Sequence, residues 1–418
     1  MRRHPLSRMS GRDPVQGSRT VTPLELLFDL AFVTAFGVAA SELAIRVAEG
    51  EVAVAAITFV AVMLAVSWDW ISFTWFASSY DTDDWLYRTT IMVQLVGVIV
   101  FVTGIPEVFR FIAEGGQLDN SAALTGYIVM RSATVLQRVR AGVQDPRRRR
   151  SNILSAAPVA AALVGWCILT IASPDRTTLV IVALALFAVE ITGPLIAETR
   201  GGTPWHPHHL AERYGLLTII ALGEIVAGTA AIVAGLSHAS GWSLDSMLVA
   251  IAGVAMAFGM WWAYFLLPIG DALARARHRG ILWGWVHVLV FISIAGAGAG
   301  LHVAALAAEG EAHFPIEAAA AAVAVPTAGF SLALLAIVAT LQLGLSWRRI
   351  GVFLLAATAA LASAAAAAAG LPLAVCLVVS ALSPWVLVLA FELPARRVLP
   401  VALKRAVARP GGVHDRLD

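Results

Sequence analysis

The residues of this chain whose types and spacing could do chemistry are charged groups set inside apolar runs. Glu25 and Asp29 stand four apart in Pro23-Leu24-Glu25-Leu26-Leu27-Phe28-Asp29-Leu30-Ala31-Phe32-Val33; Asp69 lies in Trp68-Asp69-Trp70, Arg131 interrupts another run, Glu212 and Arg213 open a further one, and Glu224 follows in Leu222-Gly223-Glu224-Ile225. A charge at the bilayer centre costs at least about 2.5–3.5 kcal/mol, so such groups face a protein interior, pair with one another, or handle ions and substrate. On a helix Glu25 and Asp29 stack on one face, where two anions repel by a few tenths of a kcal/mol. A cation must pair with them or one must take up a proton, and Arg131 and Arg213 are the cations at hand. A structural ion-pair network and substrate or proton handling both remain open for these groups. Glu224 is the sharper case. It sits about 18 Å along the helix from Glu212 at 1.5 Å per residue, close to the midplane if Glu212 is interfacial. Gly223 and Gly228 flank it, allowing close helix approach. A buried interhelical hydrogen bond is one reading of Glu224, and a proton or ligand site is the preferred one.

The elements that position these groups must be membrane helices. Hydrophobic residues make up 59% of 418 and charged residues 13%, and the apolar runs repeatedly reach the roughly 20 residues a spanning helix needs. The expected fold is all-α, a polytopic transmembrane bundle with spans at 24–44, 52–75, 89–112, 121–137, 153–172, 177–197, 210–235, 244–268, 281–306, 316–342, 350–369 and 372–392. Charge supports this count. With a cytoplasmic amino terminus, every Lys and Arg except Arg46, Arg110 and Arg176 falls at or near the inner face. The expected setting is the inner (plasma) membrane, multi-pass, with both termini cytoplasmic. Glu107, Glu114, Asp119, Glu309, Glu311 and Glu317 lie on the opposite side. The basic residues, including Arg2, Arg3, Arg8, Arg12, Arg19 and the run Arg147 to Arg150, flank spans on one face, which fits anionic lipid and not nucleic acid. Residues 1–20 read as a disordered Arg-rich cytoplasmic tail and 396–418 as a basic tail. The first apolar run lacks the features of a cleavable signal.

An internal duplication organises the chain. Residues 62–73 can be laid on 254–265 with Val, Ala, Trp and Phe coinciding; with a small gap Glu25 meets Glu212 and Gln94 falls near His287. Six spans separate the copies, so the expected halves, 21–200 and 201–395, are parallel six-helix repeats about an axis along the membrane normal. Alternating span direction then places Glu25, Asp29, Asp69, Arg131, Glu190, Glu198, Glu212, Arg213, Trp262 and His287 in the cytoplasmic half. Most tryptophans near span ends read as interfacial anchors. Trp70 and Trp262, at corresponding repeat positions, are the expected exceptions and could stack on a ligand.

Other constellations are weaker. Trp205-His206-Pro207-His208-His209 offers three imidazoles but lacks a full ligand set for zinc, so no metal is assigned. Asp81-Thr82-Asp83-Asp84 could hold Mg²⁺ against a lipid-linked phosphate, although a short acidic run is more often solvated. His-Glu-x-x-His and Gly-x-Ser-x-Gly are absent from the sequence. Cys167 and Cys376 fall in spans and read as small buried hydrophobes. No cofactor is implied.

The stretches Thr22 to Val33 and His209-Leu210-Ala211-Glu212-Arg213-Tyr214-Gly215-Leu216-Leu217-Thr218-Ile219-Ile220-Ala221-Leu222-Gly223-Glu224 resemble the low temperature requirement A membrane proteins, as do Trp261 to Phe265 and Gly126 to Arg131. Leu27 and Ala31 depart from the larger side chains expected there. The resemblance implies a bacterial multispan protein with these acids as family features, and no substrate. The functional expectation is an ion- or proton-coupled secondary transporter of an unknown small solute or ion, with a site around spans one, two, seven and eight. Glu25, Asp29 and Glu224 are the expected carriers, Arg131 and Arg213 the countercharges, Trp262 a stacking wall, and Asp69, Glu212 and His287 neighbours. A lipid-phosphate enzyme and a noncatalytic sensor or scaffold are the alternatives.

Overall fold

The computed structural model describes residues 6–13, 19–114, 121–172, 175–199, 202–308 and 315–407. Arg2, Arg3, Asp119, Glu309, Glu311 and the end of the carboxyl tail lie outside the described residues. The described chain is helical throughout: α1 (Pro23–Ala48), α2 (Val52–Tyr80), α3 (Trp85–Thr103), α4 (Ile105–Glu114), α5 (Ser121–Gln144), α6 (Arg149–Ala172), α7 (Arg176–Thr199), α8 (Pro207–Ala221), α9 (Gly223–Ser240), α10 (Leu244–Phe265), α11 (Ile269–Arg275), α12 (Gly280–Ala308), α13 (Ile316–Thr340), α14 (Trp347–Ala368) and α15 (Leu373–Val407). Among the described residues, eleven helical segments are long and apolar enough to cross a membrane, with α3 running into α4, α8 into α9 and α10 into α11. The remaining long helix, α5, carries Arg131, Arg138 and Arg140 and falls outside that set. Together they coincide with the twelve expected segments.

The helix starts follow local chemistry. Thr22 and Glu25 form a reciprocal capping box with Pro23 in the first turn of α1, which satisfies two otherwise orphaned N–H groups. Asp84 caps α3 by accepting from the Tyr87 N–H at 2.8 Å. His206 caps α8, with Pro207 following. The first acid of α1 thus has partners within its own cap in addition to its tertiary contacts.

Loops that a span-by-span reversal predicts to share one end do meet there. Arg148 donates to the Gly202 carbonyl at 3.0 Å, Arg277 to the Trp205 carbonyl at 2.8 Å and Arg279 to the Thr340 carbonyl at 2.9 Å, while the His206 N–H donates to Ser78 Oγ at 3.0 Å. At the opposite end Arg46 pairs with Glu49, Glu51 and Glu114. The expectation of a disordered tail over 1–20 is corrected for residues 6–13. This segment lies as a strap on the arginine-rich end, with Met9 fully buried, its N–H on Gln144 Oε1 at 2.7 Å, and Arg12 on the Asp81 carbonyl at 2.9 Å. The strap holds because the exposed carbonyls and carboxylates of the helix ends supply partners for its backbone and arginines.

Helix α12 is the central post, with 83% of its apolar window buried. It packs against α1, α2, α8, α9 and α13. Small residues along Ala295-Gly296-Ala297-Gly298-Ala299-Gly300 let those neighbours approach closely. Helix α7 lies at the periphery, with 11% of its window buried. Helices α1 to α7 pack α1 on α2 and α3, α3 on α5, α5 on α6 and α6 on α7; helices α9 to α15 pack α9 on α10 and α12, α12 on α13, α13 on α14 and α14 on α15, and in addition bring α10 and α13 against α15, packing that α2 and α5 do not make with α7 to that extent.

Candidate functional site: two arginine clusters and an unpaired acid

The tripeptide Trp68-Asp69-Trp70 on α2 sends its side chains into two different charge clusters. Successive helical residues point about 100° apart at 3.6 residues per turn, so one turn of α2 can serve both. Towards α5 and α7, Asp69 Oδ1 accepts from Arg131 at 2.9 Å, Arg131 also reaches Glu190 at 2.5 Å, and Trp68 donates its indole N–H to Glu190 at 3.1 Å. Tyr127 completes the set, its hydroxyl donating to Glu190 Oε1 at 2.5 Å. Arg131, Glu190 and Asp69 are all buried.

Towards α1 and α8 the arrangement recurs with different residues. Arg213 pairs with Asp29 and lies 3.2 Å from Glu25, Trp70 donates to Asp29 at 2.7 Å, and His209 Nε2 lies 3.3 Å from Glu25. In both clusters the guanidinium also lies over the ring of the donating tryptophan, Arg131 at 5.4 Å from the Trp68 centroid and Arg213 at 5.6 Å from that of Trp70, within cation–π range. Each cluster thus holds two carboxylates, one guanidinium and one indole.

The clusters differ in charge balance. Arg19 approaches Glu25 at 3.7 Å and Asp81 at 3.5 Å, and Arg12 approaches Asp81 at 3.7 Å. Glu25, Asp29 and Asp81 therefore meet three arginines. In the Arg131 cluster two carboxylates face one guanidinium, leaving one negative charge for a proton or cation to neutralise. Asp69 Oδ2 is buried there without a hydrogen-bond partner, as is Asp29 Oδ2 in the other cluster. At the arginine-rich end burial pushes the Asp81 carboxyl up and Glu25 adds to that shift, with Arg12 and Arg19 opposing it.

Glu224 behaves differently from all of these. It opens α9 just after a one-residue interruption at Leu222, is half-buried, and makes no hydrogen bond or ion pair among the described residues. Glycines of two helices stand beside it. A β-carbon on Gly37 of α1 would lie 2.9 Å from Glu224 Oε1, and one on Gly298 of α12 would lie 2.7 Å from the Glu224 carbonyl oxygen. Gly37 stands about 22 Å along α1 from the Thr22 cap at 1.5 Å per residue, so Glu224 is deep in the bundle.

Of the residues singled out in the sequence, Glu25, Asp29 and Arg213 come together in one cluster and Asp69 and Arg131 in the other. Glu212 is exposed and outside both. Trp262 is displaced from the expected stacking wall: it is half-buried, donates to Glu392 at 3.2 Å and packs on Trp385, because α10 turns this face towards α15. His287 is one ring removed from the charges. Its Nδ1 donates to the Trp283 carbonyl at 2.9 Å, leaving Nε2 to accept from Tyr264 at 3.1 Å, and its ring meets Tyr214, which in turn packs edge-on against Trp70. The three loop imidazoles diverge: His206 caps α8, His208 faces Asp271, and His209 turns inward to Glu25. Asp81, Asp83 and Asp84 are taken by different arginines, and among the described residues no group of three His, Cys, Asp or Glu converges as a metal site. Sequence reasoning missed Trp68, Tyr127, Glu190 and His209 as cluster partners. An acid within the apolar run of α7 was the available signal for Glu190.

The bundle and its interior ion pairs define a multi-pass α-helical membrane protein. The chain belongs to the bacterial low temperature requirement A protein (LtrA) family, whose family model matches residues 20–383. The uncharacterized protein RA0937 of Rhizobium meliloti (strain 1021) is 31% identical over 211 residues, a match covering 48% of this chain and 48% of that protein. The matched stretch thus spans about half the length of that relative. No solved structure matches the chain.

Proposed function

We propose that this protein is a proton- or cation-coupled secondary transporter in the bacterial plasma membrane, with its termini and arginine-rich end cytoplasmic. The observation that carries the reading is Glu224: an acid deep in the bundle, at a helix interruption, with no partner for its charge among the described residues. An uncompensated intramembrane carboxylate is costly, and a carboxyl at a discontinuous helix beside close-packed glycines resembles the midplane sites of transporters. In this reading Glu224 takes up and releases a proton or cation as access alternates. The negative charge left over at Asp69 and Glu190 is held by a second proton or cation, and the Arg213 cluster couples α1 and α2 to α8. Two parallel six-helix repeats fit the packing of successive helices in each half.

Proteoliposomes loaded with a pH-sensitive dye, given in turn Na⁺, K⁺, Mg²⁺ and a panel of amphiphilic organic ions, test this reading. Wild-type protein is expected to move protons in response to at least one of these, and Glu224→Gln to lose that coupling by more than tenfold while still folding. Wild-type vesicles indifferent to every solute, or undiminished coupling in Glu224→Gln, would overturn it and favour a noncatalytic sensor.

A further inference from the structure

Among the described residues four arginines are buried: Arg19, Arg131, Arg138 and Arg213. Three of them face carboxylates. Arg138, 5% exposed, does not. Its guanidinium reaches only the Ser72 carbonyl, at 3.5 Å, and the Phe76 ring, at 5.7 Å. Arg131 stands two helical turns earlier on α5 and adds a like charge. Leaving one buried charge without its partner costs several kcal/mol, so the environment of Arg138 calls for an anion that the described residues do not supply.

The guanidinium borders a cavity between α2, α5, α6, α7 and α12, with about 50 Å³ of free volume. One water needs roughly 10–15 Å³ by this measure, so a carboxylate or phosphate head fits and a whole solute does not. Trp68, Trp75 and Trp285 form its aromatic wall, the first and last stacked at 5.3 Å. Glu198 also lines it, but its carboxylate is committed to the Trp205 indole at 2.9 Å and the Thr203 N–H at 3.3 Å. Leu195 lines the cavity as well and is 40% exposed, on the same helix whose outward face presents Ile181, Leu184 and Ile196. At Leu195 the rim of the cavity is therefore apolar.

We infer that the Arg138 cavity binds the anionic head of an amphiphile, a carboxylate or phosphate whose acyl chain leaves past Leu195 into the bilayer. This site adjoins the Arg131 cluster, with which it shares Trp68, and does not depend on the transport reading. Arg138 supplies the charge and a planar donor pair suited to either head, the indoles exclude water, and the apolar rim selects a ligand that arrives from the membrane.

Thermal unfolding of the purified protein in a neutral maltoside detergent tests the inference, since a ligand that binds the native state raises the midpoint with its concentration. Decyl phosphate and decanoate are the probes, against inorganic phosphate and decyltrimethylammonium. A rise of several degrees with either anionic amphiphile is expected, lost in Arg138→Gln and also in Ile191→Trp, which fills the cavity wall while keeping the guanidinium. The second variant keeps the test decisive if the first does not fold. An equal rise with inorganic phosphate would make this a free oxyanion site, and a rise with the cationic amphiphile would reverse the sign of the ligand. No rise with any probe in the wild type, or an undiminished rise in Ile191→Trp, would overturn the inference outright.

Discussion

The Arg131 and Arg213 clusters are built from the same parts and do different work in the fold. Each sets one guanidinium between two carboxylates with an α2 indole on one of them. The Arg131 cluster lies within α2, α5 and α7, and among the described residues no second cation pairs with Asp69 or Glu190, so its carboxylates outnumber their guanidinium by one. The Arg213 cluster crosses from α1 and α2 to α8, and through Glu25 it reaches Arg19 and the strap at the arginine-rich end. The difference teaches that charge balance here follows access. Where the polypeptide outside the spans can reach a cluster it supplies the missing cation, and where it cannot two carboxylates are left with one guanidinium.

The largest expected effect would break the resemblance between the two. Arg131→Met strands two buried carboxylates and should cost about 3–5 kcal/mol. Arg213→Met should lie at the lower end of that range, because Arg19 remains beside Glu25. Adding Asp69→Asn and Glu190→Gln to Arg131→Met should recover most of the loss, since a buried network removed as a whole is far less costly than one partner removed. Denaturant unfolding in detergent compares the series. Equal losses for the two arginines, with no recovery in the triple variant, would mean that charge balance does not distinguish the clusters.

A smaller effect lies outside the spans, where the strap meets the helix ends. Asp84 caps α3, pairs with Arg140, and accepts from the Ser7 N–H at 3.1 Å. Burial opposes its ionisation, but these hydrogen bonds together outweigh burial and hold the carboxyl down at about 2, below its ordinary 3.8. A group depressed in the folded state contributes stability above its unfolded value and loses it as pH falls through the folded one. Asp84→Ala should therefore cost about 1–2 kcal/mol at neutral pH, and its deficit relative to wild type should shrink between pH 4 and 2. A deficit constant across that window, in thermal midpoints taken at each pH, would remove the ionised cap from the account.

Much of this arrangement is legible in the sequence, for identifiable reasons. Span positions follow from apolar length, and the common end of the loops follows from where arginines fall. The pairing of Glu25 and Asp29 with a cation follows from their spacing on one helical face. Which arginine pairs with which acid does not follow. That choice depends on how each helix is rotated about its axis, and helices apolar on nearly every face carry little rotational signal. Trp262 shows the cost, since its match to Trp70 by register places it near the acids, whereas α10 turns it to Glu392. His209 was hidden by two neighbouring histidines that suggested a shared site. The strap was hidden by its polarity, which is that of a disordered segment until backbone partners at the helix ends are taken into account.

The smallest stability effect belongs to Glu224, and its smallness is what sharpens the comparison. A carboxyl that held helices together would have a donor, as Asp29 has Trp70 and Glu190 has Tyr127. Glu224 has none among the described residues, and its neighbours Gly37 and Gly298 leave room for its carboxyl and backbone without binding them. Glu224→Gln keeps the shape and removes only the charge, so it should change the unfolding free energy by no more than about 0.5 kcal/mol, the range of substitutions that disturb no packed or paired feature. Asp29→Asn, which loosens a buried ion pair, should cost more in the same assay. Should Glu224→Gln destabilise as much as Asp29→Asn, the acid would have to be counted with the clusters as structural. A neutral result in unfolding together with lost proton movement in vesicles would separate the group that works from the groups that hold.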